Sequence, residues 1–171
     1  ANPKTPAQEA VRRRMALLAS MMRELLQTIR VGFVRYQNGT TQWAQFLKEN
    51  YASGTSDNGT SASLITTALT FAKGTLLQVP DLEIGTVSGQ NIPLTWTDNS
   101  GQPGANASDK LCVILVNANG SAIYADLTDT LRSAESDTIT APAEITAATA
   151  KVICFFRNTA GDDVSDSQYA A

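Results

Sequence analysis

The sequence predicts an α+β protein: an N-terminal long helix plus a short helix, followed by a C-terminal antiparallel β-sandwich. Three observations carry that expectation. Thr5 to Ile29 holds one sustained helical period. From Leu82 onward, short runs rich in β-branched residues alternate with Gly, Pro, Asn and Asp turns. Two of those runs, KLCVILVNA and KVICFF, are apolar at nearly every position, as strands buried on both faces are. The expected organisation is a helical element over 1–51, a linker with a candidate strand over 52–81, and the sandwich over 82–171.

The first helix has a signed start. Thr5 is placed as N-cap, Pro6 fits the first helical position, and Gln8 completes a Thr-x-x-Gln capping box. Val11, Met15, Leu18, Met22, Leu25 and Ile29 recur at helical spacing and form one apolar face. Leu17, Met21 and Leu26 widen it, so it calls for more than one neighbour. Arg12, Arg23 and Arg30 share one flank. The plain reading is a helix packed on its own domain with its arginines at the rim; the sharper one is a seam between subunits. The helix is expected to fade near Arg30 to Gly32, and Asn38-Gly39 marks a turn. A second helix then runs from Thr41, with Trp43, Phe46, Leu47 and Tyr51 on its apolar side.

Residues 52–61 read as a loop, and Leu64 to Phe71 as a strand in which Ala and Leu leave helix open. Asn119-Gly120 between two β runs signals a type I′ hairpin. A last hairpin is expected around Ala160-Gly161, for about seven strands after Leu82. One face of the two all-apolar strands meets the opposite sheet, and the wide helix is the expected cover for the other.

Composition narrows the chemistry. The 171 residues include no histidine, which removes the commonest general base and the commonest metal ligand. Two cysteines, Cys112 and Cys154, are too few for a zinc site and read as buried thiols, with a cross-strand disulfide as the lesser alternative. No cofactor, metal site or acid–base pair is expected. The loop acids around Asp98, Asn99, Ser100 and Asp109 do not follow calcium-loop spacing. No apolar run reaches membrane-spanning length. The Arg12–Arg14 run sits in a chain of pI about 4.9, against a dedicated nucleic-acid binder. The chain begins at Ala1, read as a processed end or a fragment edge.

Charge is polarised. Residues 1–50 carry a net +5 and residues 51–171 a net −8. Asp162, Asp163 and Asp166 form an acidic tip. Such a dipole favours head-to-tail attraction between copies, weakened by salt.

Two resemblances add to this. NIPLTWTD with Trp96, and KVICFFRNTAGDDVSDSQY with its small turn at Gly161, resemble a fibronectin type III or immunoglobulin-like domain. The whole chain is similar to an uncharacterised Bacteroidota family, a domain of unknown function. The residues that carry this are the NPKTPAQ entry, Arg30 to Phe33, and Thr95 to Gly101. That resemblance implies fold and organism and a Gly-rich segment upstream; the family has no established activity, so the resemblance does not supply a function.

The function expected is therefore a non-enzymatic structural subunit, extracellular or at the cell surface. It would self-assemble into a homo-oligomer or filament through the N-terminal helix and the charge-complementary ends. The interface residues expected are those six apolar positions, Arg12, Arg23 and Arg30, and the three tip aspartates. The alternative is a monomeric adhesion or carbohydrate-binding module with a glycan or host-surface ligand, for which Tyr36, Trp43 and Tyr51 would be a platform.

Overall fold

A computed structural model describes residues 4–36 and 41–171, with the backbone alone at Met22 and Arg23. The Asn38-Gly39 turn lies outside the described residues. Helix α1 spans Pro6–Gly32 and α2 spans Gln42–Tyr51. The capping box at the start of α1 is present in full. The Gln8 backbone N–H donates to Thr5 Oγ1, and the Thr5 N–H donates to the Gln8 side chain. Thr41 caps α2 the same way through the Ala44 N–H.

The strands are β1 (Thr55–Asp57), β2 (Ala62–Leu64), β3 (Glu83–Ile84), β4 (Asn91–Thr95), β5 (Lys110–Val116), β6 (Ile123–Asp126), β7 (Ser136–Thr140), β8 (Lys151–Arg157) and β9 (Gln168–Tyr169). They form a β1–β2 hairpin, a three-stranded sheet ordered β3-β4-β7, and a four-stranded sheet ordered β6-β5-β8-β9. All the pairings between these strands are antiparallel. The protein is α+β.

Two cores lie on either side of the four-stranded sheet. Leu111, Val113 and Leu115 of β5 and Val152, Cys154 and Phe156 of β8 face the three-stranded sheet, meeting Ile92, Leu94 and Ile139. The alternate residues Cys112, Ile114, Val116, Ile153 and Phe155 face the helices, meeting Leu18, Leu25, Ile29 and Phe46. The all-apolar sequence of β5 and β8 follows from this: a strand covered on both faces has no solvent side to keep polar. Each of Leu18, Leu25 and Ile29 is fully buried, worth about 1.5–3 kcal/mol apiece in transfer free energy.

The expected strand at 64–71 is corrected. Strand β2 ends at Leu64, and the chain continues as an irregular strap into Leu69, Phe71 and Ala72, which are buried. The reason lies in where its backbone groups go. Asn50, itself fully buried, accepts from the Thr70 N–H at 2.8 Å and donates to the Thr70 carbonyl at 2.7 Å. The Leu69 N–H donates to the Tyr169 hydroxyl, the Phe71 N–H to Ser167 Oγ, and the Gly74 N–H to Asp166. Side chains satisfy this backbone, so no ladder forms. The strap presses so closely on α1 that a Cβ at Gly32 would lie 1.9 Å from the Phe71 carbonyl oxygen.

The β5–β6 hairpin forms, but not through a type I′ turn. Only Gly120 has positive φ (72°), and the Asn117 N–H donates to the Ala122 carbonyl across a longer loop. Asn117 spends its side chain on the 144–146 segment instead, donating to the Glu144 carbonyl and accepting from the Thr146 N–H.

A buried charge pins the far end. Arg132, fully buried, donates to Asp109, to Asn99 Oδ1 at 2.8 Å and to the Leu77 carbonyl at 3.0 Å. Its guanidinium lies 4.5 Å from the Phe156 ring centroid. Trp96 Nε1 donates to its carbonyl at 2.7 Å. Asn99 and Asp109 are thus held by an arginine while Asp98 accepts from the Ser100 N–H and hydroxyl, and among the described residues no cluster of acidic or thiol side chains is arranged to hold a metal ion.

Candidate functional site

The apolar face of α1 divides along its length. Leu18, Leu25 and Ile29 are closed inside their own chain, so they are not available to a neighbour as a seam of six would require. Val11 and Met15, the next two positions toward the N-terminus, are 46% and 38% exposed. The side chains of Met22 and Arg23 lie outside the described residues. Arg12 and Arg30 are exposed. Arg13 instead turns back to β1, where its guanidinium makes two 2.7 Å bonds to the Asp57 carboxylate. That pair, with help from the Gly59 N–H, holds Asp57 down to about 2.

The acidic tip is engaged within the chain. Asp162 accepts from Asn158 at 2.7 Å, Asp163 from Arg35 at 2.9 Å, and Asp166 pairs with Lys73 at 3.4 Å. The Arg13–Asp57 and Arg35–Asp163 pairs join the basic front to the acidic rear of one molecule. Part of the charge dipole is therefore neutralised internally.

The aromatic residues weighed as a sugar platform are packed. Trp43 stacks on Phe46 with ring centroids 5.3 Å apart, and Tyr36 meets Phe33 edge-on at 6.2 Å. The thiols are buried and free. They sit on adjacent strands, but Cys112 faces the helices and Cys154 the other sheet, so the register itself forbids a bond between them. Burial pushes the Cys112 thiol up to about 12 and the Cys154 thiol higher still, so neither supplies a thiolate nucleophile. No helix is long and apolar enough to cross a membrane among the described residues.

A feature that sequence reading did not isolate lies along β6. It is the edge strand of the four-stranded sheet. A groove of about 790 Å³ runs beside it, between Glu24 of α1 and Pro142, Glu144 and Ile145. A smaller recess of about 140 Å³ continues it toward Leu17 and Met21. The register sets which backbone groups are free. Asn117 and Ala122 are a hydrogen-bonded pair, so Tyr124 and Asp126 also bond to β5, while Ile123 and Ala125 turn their N–H and C=O outward. Among the described residues nothing hydrogen-bonds to those outward groups. The side chains of Ile123 and Ala125 lie on the helix side and that of Tyr124 on the other. The signal that pointed toward this site was SAIYADL after Asn-Gly, which gave a strand; that it would be an edge depended on the sheet order.

The model of DUF6266, a family of unknown function, matches residues 1–171. No curated protein matches the chain. With the match running over its whole length, the chain belongs to the DUF6266 family of unknown function.

Proposed function

We propose that this protein is a non-enzymatic structural subunit which self-assembles, through the uncovered N-terminal turns of α1, into a filamentous assembly on the surface of a Bacteroidota cell. One observation carries the reading. The apolar stripe of α1 is closed at Leu18, Leu25 and Ile29 and continues, uncovered, through Met15 and Val11. A stripe that outruns its own body gains apolar burial when a sister molecule covers the remainder. Exposed Arg12 borders it and gives the contact its salt sensitivity. Inert thiols and the lack of histidine support a non-catalytic role. The resemblance of 82–171 to a fibronectin type III domain belongs to this reading, and the three-plus-four arrangement β3-β4-β7 and β6-β5-β8-β9 supports it.

Analytical ultracentrifugation and negative-stain microscopy test the assembly. Wild-type protein is expected to associate with rising concentration and to dissociate as salt is raised, and Val11→Glu with Met15→Glu is expected to leave a folded monomer. A wild type that stays monomeric at millimolar concentration, or assemblies indifferent to the double variant, would refute it.

A further inference from the structure

The geometry of the β6 edge points to a second interaction site. We infer that the groove beside β6 receives an extended, basic peptide segment of a partner protein, which adds as a fifth strand to the four-stranded sheet. The inference goes beyond the assembly reading and does not rest on it, because the groove shares no residue with Val11 and Met15.

Three features combine. The first is hydrogen bonding: Ile123 and Ala125 each present one N–H and one C=O to the groove with no partner among the described residues. An incoming strand satisfies all of these at once. The second is the absence of the usual edge protection. Natural edges are blunted by charge, proline or a bulge. The three-stranded sheet follows that rule at its β7 edge, where the strand is Ser-Asp-Thr-Ile-Thr with Asp137 near its start. Strand β6 offers Ile-Tyr-Ala before its single charge, Asp126, at the end.

The third feature selects the occupant. Among the described residues, the charged side chains lining the groove are Glu24 on one wall and Glu144 on the other, with Asp126 at the end of the strand and no lysine or arginine in the lining. Successive residues of an added strand point to opposite walls, so two adjacent basic residues reach Glu24 and Glu144 at once, and the apolar residues that follow lie over the apolar lining, Tyr124 and Ile145 included. A second copy meeting edge to edge is disfavoured, since two recessed edges would first bring their own acidic walls together. Strand β6 is four residues long, so a segment of about five residues, roughly 17 Å, covers it.

Fluorescence anisotropy with a labelled nonapeptide in which pairs of lysines alternate with pairs of valines, so that each wall meets a lysine, tests this against its glutamate–valine and serine–valine counterparts. The lysine peptide is expected to bind saturably and at least tenfold more tightly than either. Ala125→Pro removes an N–H that β5 does not use and blocks the edge, so the fold should persist and affinity should fall at least tenfold. The exposed pair Glu24→Lys with Glu144→Lys should reverse the preference toward the glutamate peptide, and stands as the test if the proline variant fails to fold. Hydrogen exchange at the Ile123 and Ala125 amides should slow on adding the lysine peptide. Val11→Glu with Met15→Glu should bind it as wild type does. Absence of binding, affinity unchanged in both the proline and the charge-reversed variants, or unchanged exchange at 123 and 125 would overturn the inference. So would a peptide-free dimer that Ala125→Pro dissolves, which would give the edge to a second copy.

Discussion

Replacing Asn50 with alanine should cost about 3 kcal/mol, and the figure follows from which groups the change strands. Asn50 makes three bonds: to the Phe46 carbonyl at 2.9 Å, to the Thr70 carbonyl at 2.7 Å, and from the Thr70 N–H at 2.8 Å. Phe46 keeps its helical partner in α2, so it loses only a second bond. Thr70 loses both backbone partners inside the strap. An unsatisfied buried backbone group costs about 1–3 kcal/mol, and half-buried Thr70 falls toward the lower part of that range. At about 2–4 °C per kcal/mol for a chain of this size, the midpoint falls by roughly 6–12 °C. Urea unfolding followed by circular dichroism and tryptophan fluorescence measures it, with an unchanged m-value expected. Asn50→Asp is the sharper control. It keeps the acceptor for the Thr70 N–H but aims a buried carboxylate at the Thr70 carbonyl, so at pH 7 it should be worse than alanine. The difference should narrow as acid protonates the carboxyl and restores a donor. An alanine variant within about 0.5 kcal/mol of wild type, or an aspartate variant no worse than alanine at pH 7, would refute the account of the strap.

Arg132→Met should destabilise by about 3–5 kcal/mol, because Asp109 is left buried without its counter-charge. Adding Asp109→Leu should recover part of that loss, and a double-mutant cycle in urea reads the coupling; a fully additive cycle would argue against the pair. The Arg13–Asp57 contact gives a pH dependence of known sign. Asp57 titrates near 2 when folded and near 3.9 when unfolded. Its contribution is therefore present above about pH 4, fades as pH falls toward 2, and is gone below. Thermal unfolding from pH 5 to pH 2 should show a shallower acid decline in Asp57→Asn than in wild type, and parallel curves would remove the contact from the stability of the fold.

Local signals were the legible part. Thr5-Pro6-Ala7-Gln8 specified a helix start because every partner of the capping box lies within four residues. The double burial of β5 and β8 was legible too, since a strand with no polar face must be covered twice. What escaped depended on partners far along the chain. Leu64 to Phe71 has strand composition, but its backbone is claimed by Asn50, Ser167 and Tyr169. Asn119-Gly120 has the turn chemistry of a tight hairpin, yet Asn117 is drawn to Glu144 and Thr146 and the loop lengthens. Arg132 gave no sign in the sequence of being fully buried.

By itself, then, the sequence determined the α+β class, the two helices with their caps, and a β-rich second part with two central strands. Each of these is written in periods and end signals that span a few residues. Only the tertiary structure decided that Leu18, Leu25 and Ile29 are closed in their own chain while Val11 and Met15 are not. It also decided that Cys112 and Cys154 face away from each other, and that Ile123 and Ala125 stand at an open edge. Those outcomes depend on strand order and register, which place residues a hundred positions apart side by side and which no local pattern encodes.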